Sequence, residues 1–97
     1  MLKSSEDLLK NLRESQPPFS KLLGMKIVEA NETQVFAELV VKKDFSNRNG
    51  VMHGGAIMAF ADNLGGTATF IDLDAELSTT TIESKTNFFR PIKVGDK

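Results

Sequence analysis

The chain has 97 residues, enough for one domain, and at that length only about two thirds of the unfolded surface can be buried, which favours further burial by self-association. Its 12 basic and 13 acidic residues give a net charge of −1, without the basic excess that drives binding to a phosphate backbone, so nucleic acid is excluded as a partner. The lack of cysteine and the single histidine exclude disulfides, thiolate metal sites and His-based zinc sites, while the lack of an apolar signal core or of any run of about 18 apolar residues predicts a soluble, cytoplasmic protein with no membrane partner.

Ser4 or Ser5 is placed to cap a first helix, with Glu6 and Asp7 in its opening turn near the positive end of the dipole. Leu8, Leu9 and Leu12 give this helix one narrow apolar stripe, so it should lie on a surface. Pro17 and Pro18 end it, because proline has no amide to donate. After the breaker Gly24, residues 25–30 read as a short strand. Asn31, Glu32 and Thr33 supply turn chemistry before residues 34–41, where Val35, Ala37, Leu39 and Val41 alternate with Gln34, Phe36, Glu38 and Val40. The expected unit is a pair of antiparallel strands joined by a tight loop. Residues 42–50 are polar, contain Asn47, Asn49 and Gly50, and read as the loop into the next helix.

Residues 53–71 are apolar nearly all round, which predicts a helix buried on most sides. Gly65 and Gly66 lie inside it at a propensity cost of roughly 1 kcal/mol each, and close helix packing is the simplest reason for them. Asp62 also lies inside it, and a carboxylate among Ala, Ile, Met, Phe and Leu is costly to bury unless it has partners or a function. Gly55, Ala59, Asp62 and Gly66 fall at i, i+4, i+7 and i+11, a stripe of small residues that suits a substrate or a second copy of the helix. Residues 78–90, rich in Thr, Ile and Phe, predict a long strand ended by Pro91, and Val94, Gly95 and Asp96 a turn into another. Three strands around a buried helix leave edges and apolar faces open, so further strands or another chain are expected to complete the sheet.

Asn47, then His53-Gly54-Gly55, Asp62, Thr80-Thr81-Ile82-Glu83, Asn87-Phe88-Phe89-Arg90-Pro91 and Gly95-Asp96 together resemble the hotdog-fold acyl-CoA thioesterases of the phenylacetate-degradation, PaaI-like type. The specific part is the spacing: an Asn six residues before the His, an acid nine after it, and Phe-Arg-Pro at a strand end. The resemblance covers about residues 22–97 and implies an α+β hotdog fold, an antiparallel sheet wrapped around a long central helix. It makes residues 1–97 a single domain, with an N-terminal helix over 1–16 and a core over 22–97 that lacks the two or more further strands such domains carry. It also implies hydrolysis of acyl-CoA thioesters by a homodimer or homotetramer, with coenzyme A arriving only as part of the substrate and no metal or redox cofactor.

By this resemblance the Gly54 amide polarises the thioester carbonyl and Asp62 is the base or nucleophile. The residues suit the parts. Amides in a first helical turn have no intrahelical acceptor, glycine at 54 and 55 leaves room for a substrate, and losing one such donor typically costs about 2.7 to 4 kcal/mol of barrier. Asp62 lies eight residues beyond Gly54. That separation is roughly 12 Å of helix, too far for both to serve one carbonyl within one chain. In PaaI-like enzymes the central helices of two subunits run antiparallel, so Asp62 of one would meet Gly54 and Asn47 of the other, and Thr80 or Thr81 would hold the attacking water.

Plainer readings stand beside these. His53 reads as a helix cap or packing residue, and as an orienting residue under the resemblance; Asn47 reads as a turn former. Lys85, Arg90, Lys93 and Lys97 fit a lysine-protected strand edge, with contact to coenzyme A phosphates as the alternative for this basic group and Arg90 named as its substrate-binding member. Phe88 and Phe89 should alternate between core and surface, with Phe89 assigned to an acyl or pantetheine channel. Two other functions stay open: a hotdog hydratase or dehydratase, which would use a catalytic His with an acid at another spacing, and a non-catalytic acyl-CoA-binding or assembly module.

Overall fold

The computed structural model describes residues 5–71, 73 and 77–97. Helix α1 spans Ser5–Glu14, with Glu6 and Asp7 in its first turn and Arg13 in its last, charges that suit the two ends of the dipole. Ser4 and the side chain of Ser5, the expected caps, lie outside the described residues. Leu12 is buried, Leu8 and Leu9 are half-buried, and this stripe packs on Met25, Ile27 and Ala30. The helix therefore lies on a surface, as its narrow stripe predicts. Arg13 Nε donates to the Ile27 carbonyl at 2.9 Å and Gln16 Nε2 to the Met25 carbonyl at 2.7 Å, which ties this helix and its exit to the strand below.

A second helix, α2 (Pro18–Leu23), forms where the sequence reading assigns no element. Pro18 stands in its first turn, where the missing amide has no intrahelical partner to lose. It ends at Gly24, whose φ of +77° is the left-handed conformation that lets its amide return to the Lys21 and Ser20 carbonyls.

Strands β1 (Lys26–Ala30) and β2 (Val35–Glu38) pair antiparallel, with Ile27 opposite Ala37, Ala30 opposite Val35 and a register shift between Ile27 and Glu29. The turn between them is built on Asn31, whose Oδ1 accepts from the amides of Thr33 and Gln34 and from the Thr33 hydroxyl. β2 is shorter than the 34–41 expected, although the alternation persists: Leu39 and Val41 are buried and Val40 is exposed. What changes is the partner. The Val41 amide donates to the Asp96 carbonyl and the Gly95 amide to the Val41 carbonyl, each at 2.9 Å, so the C-terminal turn pairs with this stretch in place of β1.

The long helix α3 spans Gly54–Ile71, close to the 53–71 expected. Ala56, Ile57 and Ala59 pack on a cluster of Leu23, Leu39, Val41 and Met52, while Leu64 and Ile71 pack on the cluster under α1, and Phe60 touches both. The expectation of burial on most sides is not met: no residue of α3 is fully buried, and Ala61, Asp62, Gly65, Ala68 and Thr69 are exposed. A sheet of two strands with α1 and α2 covers only one side of a helix of this length. The radius of gyration agrees, at 14.5 Å against about 12.5 Å for a compact chain of this size.

Residues 78–90 form no strand, so the sheet has two strands where three were expected. Thr, Ile and Phe favour a pleated surface only where a neighbour supplies ladder bonds, and here Ile82 is 98% and Phe89 90% exposed. Among the described residues no helix is long and apolar enough to cross a membrane.

Candidate active site

The start of α3 is held by the loop before it. The His53 amide donates to the Phe45 carbonyl, the Met52 amide to Ile92 (2.6 Å each) and the Val94 amide to Gly50 (3.2 Å). His53 then caps the helix: its Nδ1 accepts from the Gly55 amide at 2.9 Å. With Gly55 engaged, the Gly54 amide is the first-turn donor that has no acceptor among the described residues. The Phe88 ring closes over this point, 3.2 Å from where a Cβ on Gly54 would sit, and the His53 ring lies 3.0 Å from the equivalent position on Gly55. His53→Ala should remove the cap at a cost of about 1 kcal/mol, read as a melting temperature lower by roughly 4–8 °C; His53→Asn, which can cap in the same way, should recover most of it.

Asp62 lies on the face of α3 that the sheet does not cover. It is exposed, contrary to the expectation that apolar side chains enclose it. Its partner comes from far along the chain: Thr81 Oγ1 donates to Asp62 Oδ1 at 2.5 Å. The pair opens onto a groove of about 1070 Å³, walled by α3 from Ala61 to Phe70, by residues 77–84 including Thr80, and by Leu12 and Gln16 at the end of the first helix. Among the described residues, no three of His, Asp and Glu come close enough together to hold a metal ion.

The predicted site residues thus fall into two groups on one helix, roughly 12 Å apart by helical rise. Gly54, Gly55 and His53 meet at its start, and Asp62, Thr80 and Thr81 meet at the groove. Asn47 belongs to the loop feeding the helix start; its amide donates to Val51, and its Oδ1 accepts from the Asn49 amide at 3.3 Å, as a turn former does. Phe89 and Arg90 are exposed and line no part of the groove. Phe88, in place of Phe89, is the aromatic at the site, because without a ladder no strand parity decides which of the two turns inward. Lys97 pairs with Glu38 at 3.5 Å, while Lys85, Arg90 and Lys93 are exposed. Gly65 and Gly66, expected to admit a close neighbour, have nothing within 4 Å of a Cβ built on either.

The chain is similar to known proteins in sequence and in fold. A Saccharolobus solfataricus protein provisionally named an esterase is 36% identical over 75 residues, which are 77% of this chain and 53% of that protein. The chain therefore spans about half the length of that curated relative. Among solved structures, the Escherichia coli PaaI protein of the phenylacetic acid degradation operon matches with a TM-score of 0.79 at 20% identity, covering 96% of this chain and 67% of its own. A mutant thioesterase of Pseudomonas aeruginosa (TM-score 0.76, 23% identity, 98% and 67% covered) and thioesterase superfamily member 2 of Mus musculus (0.75, 19%, 98% and 68%) match similarly. At these identities the likeness is one of fold, the α+β hotdog arrangement of an antiparallel sheet against a long helix. The family model of the thioesterase superfamily matches residues 49–97, half of the chain and the whole of α3, and the chain belongs to that superfamily.

Proposed function

We propose that this chain carries the two half-sites of a thioester hydrolase that converts acyl-CoA to a free acid and coenzyme A, completed when two copies associate. Superfamily membership and the esterase-named relative support hydrolysis of thioesters in general. The observation that carries the residue assignment is the bond from Thr81 to Asp62, which orients a carboxylate at the mouth of a groove and leaves its second oxygen without a partner among the described residues. In this reading the Gly54 amide donates to the thioester oxygen as negative charge grows there, and the Phe88 ring shields that spot from water. Asp62 takes a proton from the water that adds to the carbonyl carbon, or adds itself to give an anhydride that water then opens. Either way the C–S bond breaks, and the coenzyme A thiolate leaves and takes up a proton.

Because Gly54 and Asp62 of one chain stand roughly 12 Å apart, each site is built from the helix start of one copy and the carboxylate of another. The two α3 helices run antiparallel, in a homodimer or a tetramer of such dimers. Asn47 of one copy offers its side-chain amide to Asp62 of the other, and Thr80 holds the attacking water beside Thr81; Gly55, expected to leave space for the thioester, instead has the His53 ring 3.0 Å from its Cβ position and belongs to the helix cap. Arg90 remains the candidate for the coenzyme A phosphates and Phe89 for the outer end of the pantetheine arm, both as parts of an assembled dimer. The chemistry needs no metal or redox cofactor, and acyl-CoA as substrate fits a cytoplasmic setting. A hydratase or dehydratase reading is less well supported, since it would lean on His53, whose Nδ1 is committed to the Gly55 amide.

The test is release of free thiol by the purified protein from acetyl-, octanoyl- and phenylacetyl-CoA. Turnover of at least one is expected. Saturable binding of these thioesters without any turnover would identify an acyl-CoA-binding module instead.

A further inference from the structure

We propose that Asn49 is a self-modification site: the Gly50 amide nitrogen attacks the Asn49 side chain, converts it to isoaspartate or aspartate, and so loosens the turn that holds the start of α3. Nothing in this chemistry depends on the thioester-hydrolase reading.

Asn49 is the one asparagine of the chain followed by glycine. The attack needs an unhindered amide nitrogen on the next residue, and glycine has no side chain to shield it. Three local features leave the reaction open. Asn49 and Gly50 are both exposed, and nothing lies within 4 Å of a Cβ built on Gly50, whose φ is +77°. The Asn49 carboxamide makes no hydrogen bond among the described residues, so its carbon is free to turn toward the backbone. The Gly50 amide, which must give up its proton to attack, is held by the Asn47 carbonyl at 3.3 Å, beyond the usual range of a firm bond. By contrast, the side chains of Asn31 and Asn63 are tied to backbone groups at 2.9 and 2.7 Å, and these residues precede Glu32 and Leu64.

The bond from the Gly50 nitrogen to Asn49 Cγ forms as the bond to the side-chain nitrogen breaks, and ammonia leaves a cyclic imide behind. Water then opens the imide at either carbonyl. One product is aspartate in an ordinary backbone; the other is isoaspartate, in which the chain runs through Cβ and Cγ and the former main-chain carbonyl becomes a carboxylate. The bond from Gly50 to Asn47 closes this turn, and beside it the Asn47 amide donates to Val51 at 2.9 Å and the Val94 amide to Gly50 at 3.2 Å. Isoaspartate puts an extra atom into the main chain of the turn and a negative charge beside Asn47. These bonds then cannot all keep their register, and the loop loses part of its grip on the helix start.

The experiment incubates the full chain at mildly alkaline pH. Intact mass follows the exchange of NH2 for OH, an isoaspartate-specific methyltransferase labels the product, and proteolytic mapping locates it. Modification is expected at Asn49 ahead of every other asparagine, faster as pH rises, and within a few-fold of the rate in the urea-unfolded chain. The modified protein should melt below Asn49→Ser protein aged alongside it, which gains no label at this position. If Asn49→Ser does not fold, Asn49→Gln, whose longer side chain closes the ring less readily, serves as the control. Modification far slower in the folded than in the unfolded chain overturns the site, because the turn then protects Asn49. First modification at another asparagine overturns it equally. Full conversion to isoaspartate at Asn49 with an unchanged melting temperature upholds the site and overturns the loosening of the turn.

Discussion

Asp62→Ala should lose about 10²- to 10⁴-fold in thiol release, the range a positioned acid or base contributes, while its melting temperature stays near that of the parent. The second half of this expectation follows from exposure. Asp62 lies on the open face of α3 and its one described bond is to Thr81, so truncation leaves no buried group unpaired. Asp62→Asn sharpens the result. Its amide oxygen can still accept from Thr81, keeping the local geometry, but the group neither takes a proton nor attacks a carbonyl at a useful rate, so it should be as inactive as Ala. Thr81→Val removes the orienting hydroxyl and leaves the carboxylate; its activity should fall between the two, with the loss mainly in kcat. If Asp62→Ala retains full activity, the carboxylate has no role in the chemistry and the assignment fails.

Which parts of this picture the sequence shows follows from which interactions are local. The Asn31 turn, the alternation through Val41 and the helix from Gly54 are set by neighbours a few residues apart, and all three are legible. The His53 cap is legible for the same reason, since it reaches only two residues ahead. Exposure of α3 is not, because apolar composition reports what a helix can bury and not what is present to cover it. Residues 78–90 fail likewise: their composition suits a strand, but a strand is a relation to a partner. Thr81 illustrates a middle case. A likeness in motif spacing marks it as a site residue, yet its direct bond to Asp62 spans 19 positions and needed the fold to bring it there. The groove wall from Leu12 and Gln16 has no local signal at all, for those residues read simply as the end of a surface helix.

Gly54→Pro isolates the oxyanion donor in a way few substitutions allow. Gly54 is the first residue of α3, the position where proline is best tolerated, because its φ is already helical and the amide it removes has no intrahelical acceptor. The steric cost is controlled by Gly54→Ala, which places the same Cβ against the Phe88 ring at 3.2 Å but keeps the N–H. Turnover should therefore be about 10²- to 10³-fold lower in Pro than in Ala, the loss expected for one oxyanion donor, with the two variants melting at similar temperatures. Equal activities would remove the amide from the mechanism. The pair of inactive chains then tests whether the site is shared. Refolded together in equal amounts, Asp62→Ala and Gly54→Pro chains should pair at random, so that half of the dimers are mixed. Each mixed dimer unites the intact helix start of one chain with the intact carboxylate of the other. One working site in two, in half of the dimers, gives about a quarter of the parental activity. A site confined to one chain cannot be restored in this way, because each chain would carry its own defect into every dimer it forms.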